Sequence, residues 1–511
     1  MLSAQKNEID TLAASAGRDD QYSAVLYQYA LKAFSNGECE GAVYALNALK
    51  TLIPGVAEVH YSLGLIHHFL GNCEEAVASF KSALAIRFTY VDAWLNLGKV
   101  QMQSGKFKEA IDSFIRVVQL DPGRDQAFRF LGDSHRELGH FQEAITAYGA
   151  ELALVPDRLD CRLDIGLTYL RQGKFPEAAA EFQGILSIDP TISEVHFNLG
   201  LTFQKQQKLH LAESAYRQAL AANPKNVGAH NNLGIVLDIL GRSQEAVVHY
   251  EEILKIEPEN QGVRHILAAL TGKQVKNAVP EYVAPLFDQY ADGFDVELVK
   301  HLKYTVPAKL KEAVAGCRKE GPYFEHVLDL GCGTGMCGEL FWDTATQITG
   351  VDLSSKMLGQ ALRKGVYDDL HNLDIVEFME KRQTFYDLFL AADVFIYVGD
   401  LDAVFRAVCE RSEPGALFAF SVEHWEGDSF WLRSSGRYAH SRQYIRRLAA
   451  MYGFSLEIDR STGIRLENDK WIDGDIYILK SPEFVSDTLF AREKRIRIPA
   501  RRRSSAQVMV G

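Results

Sequence analysis

The stretch His326-Val-Leu-Asp-Leu-Gly-Cys-Gly-Thr-Gly335 runs from a short apolar segment into a turn with glycine at every second position. It reads as a buried strand followed by a tight loop, where glycine supplies backbone conformations that side chains forbid. The same rhythm continues downstream. Gln347-Ile-Thr-Gly-Val-Asp352, Tyr386-Asp-Leu-Phe-Leu390 and Ala416-Leu-Phe-Ala-Phe-Ser421 read as further strands, with helices expected over 355–363, 401–409 and 444–451. Strands alternating with helices predict a doubly wound, mostly parallel sheet. Two late runs, 454–458 and 475–479, predict an antiparallel edge, and 279–299 reads as a helical lead-in.

Upstream the period changes. Gly64, Gly98, Gly132, Gly166, Gly200 and Gly234 stand 34 residues apart. Ala76, Ala110, Ala144, Ala178, Ala212 and Ala246 follow each by 12, and an aromatic follows each alanine by four: Phe80, Phe114, Tyr148, Phe182, Tyr216, Tyr250. Prolines 122, 156, 190, 224 and 258 close five of the units. Small residues let two helices approach, the aromatic fills the gap to the next unit, and proline ends the second helix. Ala30, Ala42 and Pro54 mark a degenerate earlier unit, and 261–270 a capping helix. The pattern resembles tetratricopeptide repeats, which implies a right-handed all-α solenoid with a concave groove. Tyr61, Leu65, His68 and Phe69, then Arg129, Asp133, Arg136 and Glu137, then Phe197, Leu201, Gln204 and Lys205 are expected to face it. That groove lacks the Lys/Asn set of carboxylate-clamping repeats. It accepts a protein or peptide partner, or the repeats only pack internally or against the rest of the chain. Asn96, Asn198 and Asn232 share one position and either bond a peptide backbone or cap turns.

The 511 residues are 47% hydrophobic and carry a formal charge of −12, which argues against a protein built to grip nucleic-acid phosphates. The seven cysteines stand singly, so neither structural zinc nor a disulfide framework is expected, and no metal is invoked. The N-terminus lacks the apolar core of a signal peptide, and no apolar run reaches the roughly 18 residues of a membrane span. A cytoplasmic protein is expected.

Asp329-Leu-Gly331-Cys332-Gly333-Thr-Gly335, followed by Asp352, resembles the cofactor motif of class I S-adenosylmethionine-dependent methyltransferases. The resemblance implies a Rossmann-like domain in which Asp329 reaches the cofactor's ammonium group and Asp352 its ribose hydroxyls. Leu353 and Met357 would flank the adenosine, Asp374 and Ile375 would meet the adenine, and Ala391 to Asp393 would sit near the methyl group. Cys332 is read as packing. The order of repeats, then Phe287-Asp-Gln-Tyr-Ala-Asp-Gly-Phe294, then this core resembles bacterial repeat-containing methyltransferases; Ser435-Gly-Arg-Tyr-Ala-His-Ser441 fits the same group. His440 is the best candidate base, in an expected loop before a helix. It otherwise caps that helix or bonds a loop carbonyl. Tyr290 either closes over the methyl group or belongs to an amphipathic face. Glu423 and Arg437 are further polar candidates near the acceptor. The absence of a D/N-P-P-Y/F loop at Ala392-Asp393, of a glutamate pair after that strand and of the cysteines of RNA cytosine-C5 enzymes leaves oxygen, aliphatic or lysine nitrogen, or carbon as acceptor atom.

The expected organisation is a leader at 1–22, solenoid at 23–270, linker and lead-in helices at 271–315, S-adenosylmethionine-binding domain at 316–480 and a basic tail at 481–511. The leading expectation is a methyltransferase, yielding S-adenosylhomocysteine, whose solenoid recruits a protein substrate or partner. One alternative has a small metabolite, lipid or glycan as acceptor and repeats used only for assembly. The other is a non-catalytic scaffold that senses the cofactor.

Overall fold

The computed structural model describes residues 19–291, 293–296, 298–299, 302–317, 323–467, 470–483 and 507–509, with backbone alone at 19–21 and 507–509. The basic cluster expected at 492–503 lies outside the described residues. The chain forms two compact units, Met1–Val236 and Leu237–Gly511.

The first unit is a row of helical hairpins. Helices α1 (Asp19–Ser35) and α2 (Cys39–Leu52) pair first, then α3 (Ala57–Phe69) with α4 (Cys73–Ile86) and α5 (Val91–Gln103) with α6 (Phe107–Leu120). Next come α7 (Asp125–Glu137) with α8 (Phe141–Leu154), α9 (Leu159–Arg171) with α10 (Phe175–Ile188), and α11 (Ser193–Lys205) with α12 (Leu209–Ala222). The division between units falls within α13 (Val227–Ile239). The repeated glycine and aromatic form one lock. A Cβ at Gly98 would lie 2.5 Å from the Phe114 ring, and one at Gly132 would lie 2.5 Å from Tyr148. The ring therefore seats on its own unit's glycine and also reaches forward, as Phe80 does to Ala93 and Leu97. Each proline stands two residues beyond a helix end, as Pro122 does after Leu120.

The second unit begins with α14 (Ser243–Ile256), α15 (Gln261–Thr271), α16 (Pro280–Tyr290) and α17 (Val306–Cys317). The expected lead-in helix is broken: it stops at Tyr290, and Gly293 turns the chain with φ of 84°. Then follow β1 (Phe324–Leu330), α18 (Met336–Phe341), β2 (Ala345–Asp352), α19 (Ser355–Lys364), β3 (Asp369–Asn372), α20 (Ile375–Lys381) and β4 (Tyr386–Ala391). The remainder is α21 (Asp402–Arg411), β5 (Ser412–His424), β6 (Phe430–Leu432), β7 (Tyr438–His440), α22 (Arg442–Met451), β8 (Ser455–Glu467) and β9 (Lys470–Lys480).

The sheet runs β3-β2-β1-β4-β5, all parallel, with β9 antiparallel to β5 and β8 antiparallel to β9. β9 is thus an inner strand and β8 alone the edge of that side. Alternate residues supply two cores. Leu328, Leu330, Phe389, Phe418 and Phe420 face α21 and α22, whereas Val327, Leu388, Leu390 and Leu417 face α17 to α19. The expected loop before α22 is instead the hairpin β6–β7, because Tyr438, Ala439 and His440 are all buried.

Candidate functional site

Parallel strands of this kind leave a crevice beyond their carboxyl ends. There the ends of β1 and β2 carry Asp329 and Asp352, and a cavity of about 870 Å³ opens beside them. The expected residues Asp329, Gly331, Cys332, Gly333, Asp352, Leu353, Asp374, Ile375, Asp393, Arg437 and Tyr290 line it. Gly335, Met357, Ala391, Glu423 and His440 stand behind that wall: Met357 and Ala391 are fully buried, and Gly335 starts α18 with φ of 90°.

The glycines of the turn differ in their reasons. A Cβ at Gly331 would meet Val394 Cγ2 at 2.7 Å and one at Gly335 would meet Tyr367 at 2.9 Å, so protein crowds both. At Gly333 nothing lies within 4 Å, and its φ is +54°: the loop presents bare backbone to the cavity. The Gly333 amide donates to Asp352 Oδ2 at 2.8 Å, while Asp352 Oδ1 accepts the Ser354 amide at 2.8 Å. Asp329 accepts from the Tyr367 hydroxyl at 2.7 Å. Burial pushes the Asp329 carboxyl up to about 7 and that of Asp352 up to about 6. Among the described residues neither forms an ion pair, so the crevice holds one buried and one half-buried acid, each able to take further hydrogen-bond donors or a cation. That fits an ammonium group and a diol. Asp374 uses one oxygen to cap α20, accepting the Val376 and Glu377 amides.

Helix α16 roofs the cavity with Tyr282, Val283, Leu286, Phe287 and Tyr290. Asp288 anchors that roof, accepting from Ser354 Oγ at 2.5 Å and from the Lys356 amide at 3.2 Å at the start of α19. Asp295 bonds Thr334 and Lys364. Sequence reasoning singled out Tyr290 and passed over Asp288, two residues away, although both lie in the quoted run.

Asp393 follows β4 with φ of 60°, its amide bonded to Ser421 Oγ at 2.9 Å. Both its oxygens take Arg465 Nη1, at 3.0 and 2.9 Å. Arg465, 2% exposed, also holds Glu423 and Glu467, and Arg437 shares Glu467. Burial raises the Glu423 carboxyl. Nothing in the pattern of β8 announced Arg465.

His440 does not reach the cavity. It is fully buried, with Nε2 3.0 Å from both the Val398 and Gly399 carbonyls, and burial lowers it to about 4. A neutral, walled-in imidazole that donates to loop carbonyls is a strut; the expectation of a catalytic base there is corrected in favour of the carbonyl bond.

Family models match the two halves: a methyltransferase domain at residues 299–457, and tetratricopeptide repeats at 57–90, 91–124, 131–191 and 197–260. The chain joins tetratricopeptide repeats to a methyltransferase domain. The chain is 30% identical over 128 residues to a ubiquinone biosynthesis O-methyltransferase of Bordetella pertussis, covering 24% of this chain and 51% of that one. The Sodalis glossinidius enzyme of the same name is 27% identical over 152 residues, covering 29% and 60%. The chain thus spans about half the length of the curated relatives it matches. Among solved structures, a crystal structure of MamA protein is 25% identical with a TM-score of 0.32, covering 33% of this chain and 92% of that one.

In the repeats, Asn96 donates to the Tyr61 hydroxyl at 3.0 Å and to Asp92 O at 2.9 Å, and Asn232 donates to the Tyr216 hydroxyl at 3.3 Å. These asparagines are engaged within the repeats. Arg136 is likewise tied to Asp133 and Asp164, whereas Phe69 is 71% exposed. Among the described residues no helix is long and apolar enough to cross a membrane.

Proposed function

We propose that the protein transfers a methyl group from S-adenosylmethionine to an oxygen of an apolar acceptor held in this cavity, and that the repeats engage a protein partner. One observation carries the cofactor reading: a buried and a half-buried carboxylate, neither in an ion pair among the described residues, flank a glycine whose Cβ position is open space. Asp329 would accept from the ammonium group and Asp352 from the ribose hydroxyls. Leu353 and Ile375 would sandwich the adenine, with the second Asp374 oxygen toward its amino group. When bound, the cofactor supplies a methyl group on a positively charged sulfur.

The chain's own part is positioning and exclusion of water. In-line transfer gains most from fixing donor and acceptor in one geometry. The aromatic roof of α16 and the buried Tyr304 dry the reacting end. Arg465 fixes the position of Asp393 beside β4, where the donor would lie. The oxygen acceptor is supported by the printed name of the relatives. The roofed cavity favours a small acceptor over a protein chain as substrate, leaving the repeats to recruit rather than to present. Calorimetry with S-adenosylhomocysteine tests the reading: micromolar binding by the wild type, lost in Asp352→Asn, is expected. A wild type that binds nothing sinks it.

A further inference from the structure

Two guanidiniums line the cavity, and they differ in what they have left to give. Arg465 is spent: Nη1 serves both oxygens of Asp393, Nη2 serves Glu423 and Nε serves Glu467. Arg437 is not. Among the described residues its guanidinium gives one Nη1 bond to Glu467 and one bond to the Tyr397 hydroxyl, which leaves N–H donors over. An arginine has five N–H donors in a planar fork, and Arg437, its side chain 28% exposed, keeps part of that fork accessible. Arg437 lines the cavity together with Tyr282, Leu286, Phe287, Tyr304 and Tyr397, so an acceptor filling that space meets an aromatic wall and a guanidinium with donors left over.

The acids at this end point the same way. Asp393 has both oxygens on Arg465, Glu423 is held by Arg465 and faces Arg433 at 3.5 Å, and His440 is walled off. An acceptor whose own carboxylate takes the methyl group needs no base from this set: an oxygen lone pair forms the O–C bond as the C–S bond breaks, giving a methyl ester and neutral S-adenosylhomocysteine with no proton to remove. We infer that Arg437 anchors a carboxylate on the acceptor, and that the acceptor is an apolar or aromatic acid whose body lies against the α16 roof. This rests on the methyltransferase reading above and names the substrate class of that site. A carboxylate meets a guanidinium through two parallel bonds, a match that neither an amide nor an alcohol offers.

The test uses the full chain saturated with S-adenosylhomocysteine. Benzoate, 3-phenylpropanoate and decanoate are titrated by calorimetry beside their primary amides, into the wild type, Arg437→Gln and Arg437→Lys. Glu467 keeps Arg465 in both variants, and the affinity for S-adenosylhomocysteine reports that the fold and cofactor site are intact. The expected result is acid binding with a preference of about ten-fold or more over the amide. That preference disappears in Arg437→Gln and is partly kept in Arg437→Lys, with S-adenosylhomocysteine affinity unchanged. Amides binding as well as acids, no acid binding at all, or a preference that survives Arg437→Gln each overturns the inference. A wild type that binds no S-adenosylhomocysteine overturns the cofactor reading beneath it, and this inference with it.

Discussion

Asp329 shows how burial sets chemistry at the scale of a single residue. Its carboxyl titrates near 7 in the fold and near 4 in an unfolded chain, so the cofactor-free fold holds the extra proton between those values. Stability of the cofactor-free protein should therefore fall as pH rises from about 4 to about 7 and then level off. A ligand that donates to the ionised acid has the opposite dependence. S-adenosylhomocysteine should bind more tightly as pH rises from 5.5 to 8, with most of the gain through the region of 6 to 7. Calorimetry across that range checks the sign, and Asp329→Asn should flatten the profile while raising the melting temperature of the free protein at pH 8. His440 behaves differently. Lowered to about 4, it carries no charge change between pH 5 and 8, so His440→Phe should cost about 1–3 kcal/mol of stability through the orphaned carbonyls. The pH profile of methyl transfer by that variant should keep the wild-type midpoint. A shifted midpoint would return His440 to the chemistry.

Whole elements carry the next level. The glycine–aromatic lock predicts that Gly132→Ala, whose new carbon would lie 2.5 Å from Tyr148, destabilises the first unit by about 1–3 kcal/mol. Gly149→Ala and Gly184→Ala, in helices with nothing near the new carbon, should instead stabilise by about 0.5–1 kcal/mol. Urea denaturation separates the two classes; equal effects would remove the steric explanation. The hairpin turns show what a 34-residue register hides. Gly71, Gly105, Gly139 and Gly173 turn the chain with φ of 71–77°, yet Gln207 takes the same place with φ of 60°. Helix α16 rests on Asp288, so Asp288→Ala should speed dissociation of S-adenosylhomocysteine with a smaller change in its rate of entry. Stopped-flow measurement of both rates decides it.

For the whole molecule, much of the fold was legible because it depends on local rules. The repeat period, the strand-and-helix alternation and the glycine turn are each written in consecutive residues, and so are Asp329 and Asp352 at the ends of their strands. What was not legible depends on distant pairing. Arg465 reaches Asp393 across 72 residues, and β7 became a strand because β5 runs long enough to pair with it at Glu423 and His424. The last helix of the repeat pattern is of this kind too. Within the second unit, Ala268 and Ala269 of α15 pack on Leu432 and Tyr438, and His265 bonds Gly436 O at 2.9 Å, one residue before Arg437. A fragment starting at residue 237 should therefore melt higher and hold S-adenosylhomocysteine more tightly than one starting at 275. Equal melting temperatures would reduce α15 to a spectator.

The short connection after Gly272 reads in sequence as a tether. Yet Gln274 offers its side-chain amide to both backbone groups of Leu432, the Lys276 carbonyl takes the Asp400 amide at 2.9 Å, and Ala278 donates to Tyr397 O at 3.1 Å. A segment bonded in this way is a poor protease substrate, since cleavage needs the local backbone to open first. Trypsin offered Lys273 and Lys276 should leave both uncut under native conditions. The natural seam for swapping one repeat array for another then lies upstream of α15, where a new array would inherit its last helix from the enzyme.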